Sequence, residues 1–204
     1  MLSEIAGRLG KPASSLLRPL VQLVDLGYVR RDTPFGENEK STRRTLYKIG
    51  DPFLLFHFRF VQPNKSQLQI GGVSTVAAKV SRQLALHVSV IWEELARASV
   101  PFSGIGGYEW GPARRWWGTG TDGVPMEVDV VAESLDGRAV LVGEAKWNEA
   151  EVDVGAGRNR LLQVARSGGW ARGREVVPVQ WLKRARRNRN VHIQTPDDVL
   201  DCLR

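Results

Sequence analysis

The sequence predicts a mixed α/β (α+β) chain: helices and a basic hairpin first, then a mixed sheet flanked by helices. Three observations carry this expectation. Apolar residues recur at helical spacing over the first 26 positions. Segments at 28–31 and 44–49 that read as strands flank a Gly- and charge-rich loop. Two alternating apolar runs, Met126 to Ala132 and Val142 to Trp147, are separated by the turn residues Ser134, Asp136 and Gly137.

Residues 3–9 read as a short helix capped by Ser3, with Ile5, Ala6 and Leu9 on one side and Gly10 ending it. A second helix follows from about Ser15 to Leu26, with Leu16, Leu20, Leu23 and Val24 as its apolar stripe and Gly27 at the C-terminal cap. Pro19 is expected close to the start of this helix, where a missing N–H costs little. Two helices joined at a glycine make a helix-turn-helix, and the hairpin after them makes a wing. Arg18, with Arg30, Arg31, Lys40, Arg43 and Arg44 on the wing, is expected to set cations along a DNA groove and its phosphates. A winged helix also needs a helix ahead of residue 3, and the sequence supplies none there.

The aromatic run Phe53 to Phe60 is dense enough in apolar residues to be expected buried, and Pro63-Asn64 with Gly71-Gly72 reads as a linker. The expected division is a winged-helix unit over 1–63, a linker over 64–79 and an α/β domain over 80–204. Arg114, Arg115, Trp116 and Trp117 precede the first strand of the central hairpin; the tryptophans are expected to pack on the sheet, the alternative being that interleaved guanidinium and indole groups stack bases and hold phosphates. A helix around 158–166 carries Gln163, expected at the surface. The run Trp181 to Arg189 is the densest cationic segment and reads as a helix. A strand at 191–193 and a helix at 197–203, capped by Thr195 with Pro196 in its first turn, close the chain.

Function is concentrated on the hairpin. Side chains alternate across a strand, so Glu127 and Asp129 share a face, as do Glu144 and Lys146 on the return strand. Acidic oxygens in this arrangement suit magnesium, and an ammonium beside them can orient a water in phosphodiester hydrolysis. The bland reading is a solvated hairpin whose charges pair across strands.

An Asp, a turn, then Glu-x-Lys resembles the PD-(D/E)XK core of restriction-endonuclease-like folds. That resemblance implies Asp129 and Glu144 as metal ligands, Lys146 as the residue that positions the water, and Glu93 of an earlier helix as a further acid, with Glu94 adjacent. The chain departs from the pattern in lacking a proline beside Asp129. Together with the winged helix and the Asp51-Pro52-Phe53 run, the Arg115-Trp-Trp-Gly and Gly143-Glu-Ala-Lys-Trp motifs resemble the C-terminal half of archaeal-type AAA ATPases. In those proteins a P-loop module precedes a winged helix and a nuclease-like domain of uncharacterised function. No Gly-x-x-x-x-Gly-Lys-Ser/Thr stretch occurs here, so no ATP site is expected in this chain, and a P-loop ATPase is expected as a partner or as a missing N-terminal module. The alternative function is a DNA- or protein-binding regulator without catalysis.

A net charge of +7 favours a polyanionic partner. Cys202 is the only cysteine, which excludes an internal disulfide and suits a reducing cytoplasm. The three histidines, at 57, 87 and 192, are too scattered for a zinc site. No apolar stretch approaches membrane-spanning length, so no membrane association is expected.

Overall fold

The computed structural model describes residues 1–42, 44–150, 152–185 and 190–204. It divides into two compact units, Met1–His87 and Val88–Arg204.

In the first unit, α1 spans Leu2–Leu9 and α2 spans Ala13–Asp25. Ala6, Leu16 and Leu20 are buried together, with Leu2, Ile5 and Tyr47 packed against them. Helix α1 begins one residue earlier than expected: the N–H groups of Glu4 and Ile5 bond to the carbonyl of Met1, so Ser3 lies inside the helix and does not cap it. Gly10 ends α1 in the left-handed region (φ 59°), where a Cβ would be strained. Helix α2 also starts early, at Ala13, which leaves Pro19 in its interior and not near its start. The helix survives the lost hydrogen bond because Leu16 and Leu20, one turn apart, bury its inner face. Strands β1 (Val29–Asp32) and β2 (Leu46–Ile49) then pair antiparallel, Arg30 opposite Lys48 and Arg31 opposite Tyr47, as a wing requires.

The aromatic run is the main departure in this unit. Phe53 and Phe58 are 72% and 54% exposed, whereas Phe60 is 3% exposed. The segment is helical, α3 (Pro52–Phe56) continuing through a π-turn at His57–Val61 and a 3-10 turn at Gln62–Asn64. Winding a continuous apolar run into a helix spreads it around the whole circumference, so only part of it can face inward. Phe56 and Phe60 do so, each meeting the ring of buried His87 edge-on at 5.7 and 5.4 Å. Burial, with Arg59 nearby, holds the His87 imidazole below its ordinary pKa. The expected linker contains helix α4 (Lys65–Gln69), and Gly71-Gly72 separates it from the long helix α5, Val73–Ser99.

The second unit is built on five strands in the order β3-β4-β5-β6-β7. These are β3 (Arg114–Thr119), β4 (Pro125–Glu133), β5 (Ala139–Lys146), β6 (Glu175–Leu182) and β7 (His192–Gln194). β3, β4 and β5 form an antiparallel meander, while β5, β6 and β7 run parallel. The β4–β5 turn is locked by side chains. Ser134 Oγ accepts the N–H of Ala139 at 2.9 Å, and Asp136 accepts the N–H of Arg138 and the Ser134 hydroxyl, which hold its pKa down to about 2.

Strands meeting in parallel need a crossover, and helix α6 (Val154–Ser167) provides it between β5 and β6. Gly157, Leu161 and Ala165 form its buried stripe. The opposite face of the sheet is covered by α5, where Trp92, Ala96 and Val100 join Val130, Ala132, Leu141, Val179 and Trp181 in one buried cluster. The Trp92 indole N–H donates to the carbonyl of Trp181 at 3.2 Å. With layers on both faces, the central strand reads as a continuous apolar run, Ala139 to Gly143 all being buried.

The expected helix over 181–189 is overturned at its start, because Trp181 and Leu182 finish β6 as fully enclosed strand residues. Arg186 to Arg189 lie outside the described residues. Helix α7 (Pro196–Cys202) is capped as expected: Thr195 Oγ1 accepts the N–H of Asp198, whose carboxylate accepts the N–H of Thr195. Among the described residues no helix is long and apolar enough to cross a membrane.

Gly143 shows how tightly the sheet is packed. A Cβ there would lie 2.3 Å from the Trp181 ring and 3.1 Å from the carbonyl oxygen of Val179. Gly143→Ala is expected to destabilise the chain by about 1–3 kcal/mol through overpacking. Urea unfolding followed by tryptophan fluorescence checks this, and an unchanged midpoint would contradict it.

Candidate functional site

The site forms where β4 and β5 stop pairing. The ladder runs from Glu133 opposite Val140 to Val130 opposite Gly143. Beyond that point the Asp129 carboxylate replaces a backbone acceptor, its Oδ2 receiving the N–H of Ala145 at 3.0 Å. The bond fixes Asp129 beside the Glu144-Ala145-Lys146 segment. Because Val130 and Gly143 face α5, alternation turns Asp129, Glu144 and Lys146 to the other face of the sheet.

Glu144 Oε1 lies 3.1 Å from Lys146 Nζ and also pairs with Arg160 of α6. Its second oxygen, Oε2, is buried and finds no donor among the described residues. Burial raises the Asp129 pKa, the Ala145 N–H opposes that, and repulsion from Glu144 raises it further; Arg97 and Arg115 act in the lowering direction. Two carboxylates close enough to repel, one with an orphaned oxygen, form a donor set that fits a hard divalent cation. Magnesium uses one or two carboxylates and keeps several waters.

The remaining expected residues divide clearly. Glu94 is held by Arg97, whose guanidinium lies 2.5 Å from it and donates to the backbone carbonyl of Asp129 at 2.5 Å. Among the described residues no three His, Cys, Asp or Glu side chains gather as a metal-binding group, so Glu93 is not brought in as a third donor. Glu93 belongs to α5, the layer that covers the other face of the sheet. Glu127 pairs instead with Arg115 of β3, while the Arg115 guanidinium sits 5.5 Å from the Trp117 ring centroid. Trp116 is buried and meets Trp170 edge-on at 5.0 Å, so it packs as expected, whereas Trp117 is half-buried.

Sequence reasoning missed Arg97, Arg160 and Gln180. Gln163 is exposed, whereas Arg160 flanks the stripe of Gly157, Leu161 and Ala165 and so reaches the sheet. The four-residue spacing of that stripe was the available signal. For Gln180 no such cue exists, since a polar residue inside an apolar strand reads as a blemish.

On the wing, Arg18 and Lys40 are exposed. Arg31 donates to the carbonyl of Glu39 at 2.7 Å, Arg30 pairs with Asp32 at 2.7 Å, and Arg44 pairs with Glu37. Arg43 lies outside the described residues.

Comparison with known proteins agrees with the first unit. Residues 1–33 match the IclR helix-turn-helix domain, and the chain therefore carries a helix-turn-helix of the DNA-binding class. Residues 57–156, just under half of the chain, match a family described as archaeal and bacterial proteins of unknown function. The chain is also 27% identical over 157 residues to an uncharacterized protein of Methanocaldococcus jannaschii. That alignment covers 72% of this chain but 33% of the relative, so the chain spans about a third of the relative's length. No solved structure matches.

The raised Asp129 pKa has a consequence for stability. In the unfolded chain this carboxyl ionises near 3.8, whereas the folded state holds its proton to higher pH. Asp129 therefore withdraws stability as pH rises above that value. Metal-free Asp129→Asn is expected to resist denaturant better than wild type at pH 7, the difference shrinking toward pH 3.8. Chemical unfolding in the presence of a chelator checks this, and a less stable variant at pH 7 would contradict it.

Proposed function

We propose that the protein is a DNA-associating, magnesium-dependent phosphodiesterase in which the winged unit engages duplex DNA and the second unit cleaves a nucleic-acid strand. The observation that carries this reading is the Asp129–Glu144 pair with Lys146 on one face of adjoining strands. The element order supports it: a helix, an antiparallel three-stranded meander, a crossover helix and a parallel strand, as in restriction-endonuclease-like folds.

Asp129 and Glu144 would hold the ion, which when bound supplies a polarised water and charge neutralisation at the phosphate. Lys146 is within reach of the same space and orients the attacking water through its ammonium. Arg97 acts on the backbone of Asp129 and fixes the strand end that carries it. Water adds its oxygen to phosphorus, the bond to the leaving sugar oxygen breaks, and that oxygen takes a proton. The unmatched two thirds of the archaeal relative leave room for a motor module, and an ATPase working with this chain belongs to the same proposal.

A second reading, phosphate binding without cleavage, is favoured by the four cations Arg97, Arg115, Lys146 and Arg160 around two carboxylates. One assay separates them. Wild type with magnesium is expected to cleave plasmid or single-stranded DNA, and Lys146→Ala to lose about 100-fold or more of that rate. Equal background in both would favour the binding module.

The winged unit is tested separately. Exposed Arg18 of α2 is placed to meet a phosphate, so Arg18→Ala should weaken duplex binding evenly across sequences. It should also reduce the slope of log K against log salt by about 1. Fluorescence anisotropy over a salt series reads both, and an unchanged slope would remove Arg18 from the interface.

A further inference from the structure

The ion proposed above has two carboxylates and lacks the third acid that the sequence suggested. The strand beside Glu144 carries another side-chain oxygen, that of Gln180. Gln180 of β6 is the direct register partner of Glu144 across the parallel β5–β6 pair. Register partners leave the same face of a sheet side by side, with neighbouring strands about 4.8 Å apart. Gln180 is 0% exposed, a rare state for a glutamine whose hydrogen bonds are incomplete.

Its amide is oriented by one bond, Nε2 donating to the carbonyl of Val154 at 2.8 Å in the first turn of α6. Exchanging the amide nitrogen and oxygen would set acceptor against acceptor, so Oε1 keeps its place. That oxygen finds no donor among the described residues, and neither does Glu144 Oε2. Buried Gln180 and half-buried Glu144 thus each present a buried oxygen that no donor among the described residues satisfies.

The surroundings are shaped to keep Gln180 there. A Cβ on Gly157 would lie 2.8 Å from both the nitrogen and the oxygen of its amide, so glycine at this helix position is what admits the side chain. An apolar residue at 180 would have filled the space without leaving a buried acceptor. An amide oxygen is a hard neutral ligand of the kind magnesium and manganese accept beside carboxylates. With two carboxylates it completes a three-oxygen set whose charge matches a divalent ion.

We infer that Gln180 is a further metal ligand, its Oε1 binding the same divalent cation as Asp129 and Glu144. The inference rests on the proposed ion site and concerns which strand supplies its third oxygen: β6, not helix α5.

The test is direct Mn2+ binding to the full chain, followed by calorimetry and by the electron paramagnetic resonance signal of free Mn2+. Wild type should bind and Asp129→Asn should lose binding. Gln180→Met, similar in volume but without the oxygen, should bind about tenfold more weakly or worse. Gln180→Leu, which also lacks the oxygen and suits an apolar strand, should be weakened to the same degree. If Gln180→Met does not fold by circular dichroism, Gln180→Leu decides, and wild-type affinity in it overturns the inference. Wild-type affinity in a folded Gln180→Met, with Asp129→Asn impaired, overturns Gln180 as a ligand and leaves the ion site standing. A wild-type chain that takes up no Mn2+, or one unaffected by Asp129→Asn, overturns the ion site and this inference with it.

Discussion

The single hydrogen bond from the Ala145 N–H to the Asp129 carboxylate organises the second unit. A sheet ladder ordinarily continues through backbone acceptors; here a side chain takes that role, so regular pairing stops at Val130 and Gly143. The strand ends are thereby held together without being paired, and the carboxylate is drawn inward beside Glu144. Electrostatic strain follows from the same bond, since one acid is buried against another. Arg97 reinforces the position from the backbone side by donating to the carbonyl of Asp129.

Sheet topology then determines which other groups reach these acids. The change from antiparallel to parallel pairing at β5 requires a crossover, and α6 lies against the face that carries Glu144. The helix presents Arg160 to Glu144 and its first turn to Gln180. Helix α5 covers the opposite face with Trp92, Ala96 and Val100. On that helix Glu94 pairs with Arg97, which also donates to the carbonyl of Asp129. Lys146 and Arg160 both pair with the Glu144 carboxylate, and Arg97 and Arg115 act electrostatically on Asp129.

In the winged unit the electrostatics differ from a simple count of arginines. Several wing cations are engaged locally: Arg30 with Asp32, Arg31 with the Glu39 carbonyl and Arg44 with Glu37. Such pairs fix loop geometry more than they add affinity, since exposed ion pairs contribute roughly 0–1 kcal/mol each. Arg18 on α2 retains an exposed position. The buried triad of Ala6, Leu16 and Leu20 is what sets α1 against α2 and so positions that helix.

Local patterns were enough to read much of this chain. Alternation and turn residues specified the β4–β5 hairpin, Thr195 and Pro196 specified the start of α7, and Gly10 and Gly27 marked the ends of the first helices. These features depend on interactions within a few residues, which the order of amino acids states outright. The burial of the aromatic run was misread because a continuous apolar stretch does not say which side of a helix will find a partner. Trp181 and Leu182 were misread because their neighbours are cationic, although β6 continues through them. The set of groups around Asp129 and Glu144 was settled only by the three-dimensional packing. Arg97, Arg160 and Gln180 come from α5, α6 and β6, and no spacing along the chain records which face of the sheet each element covers.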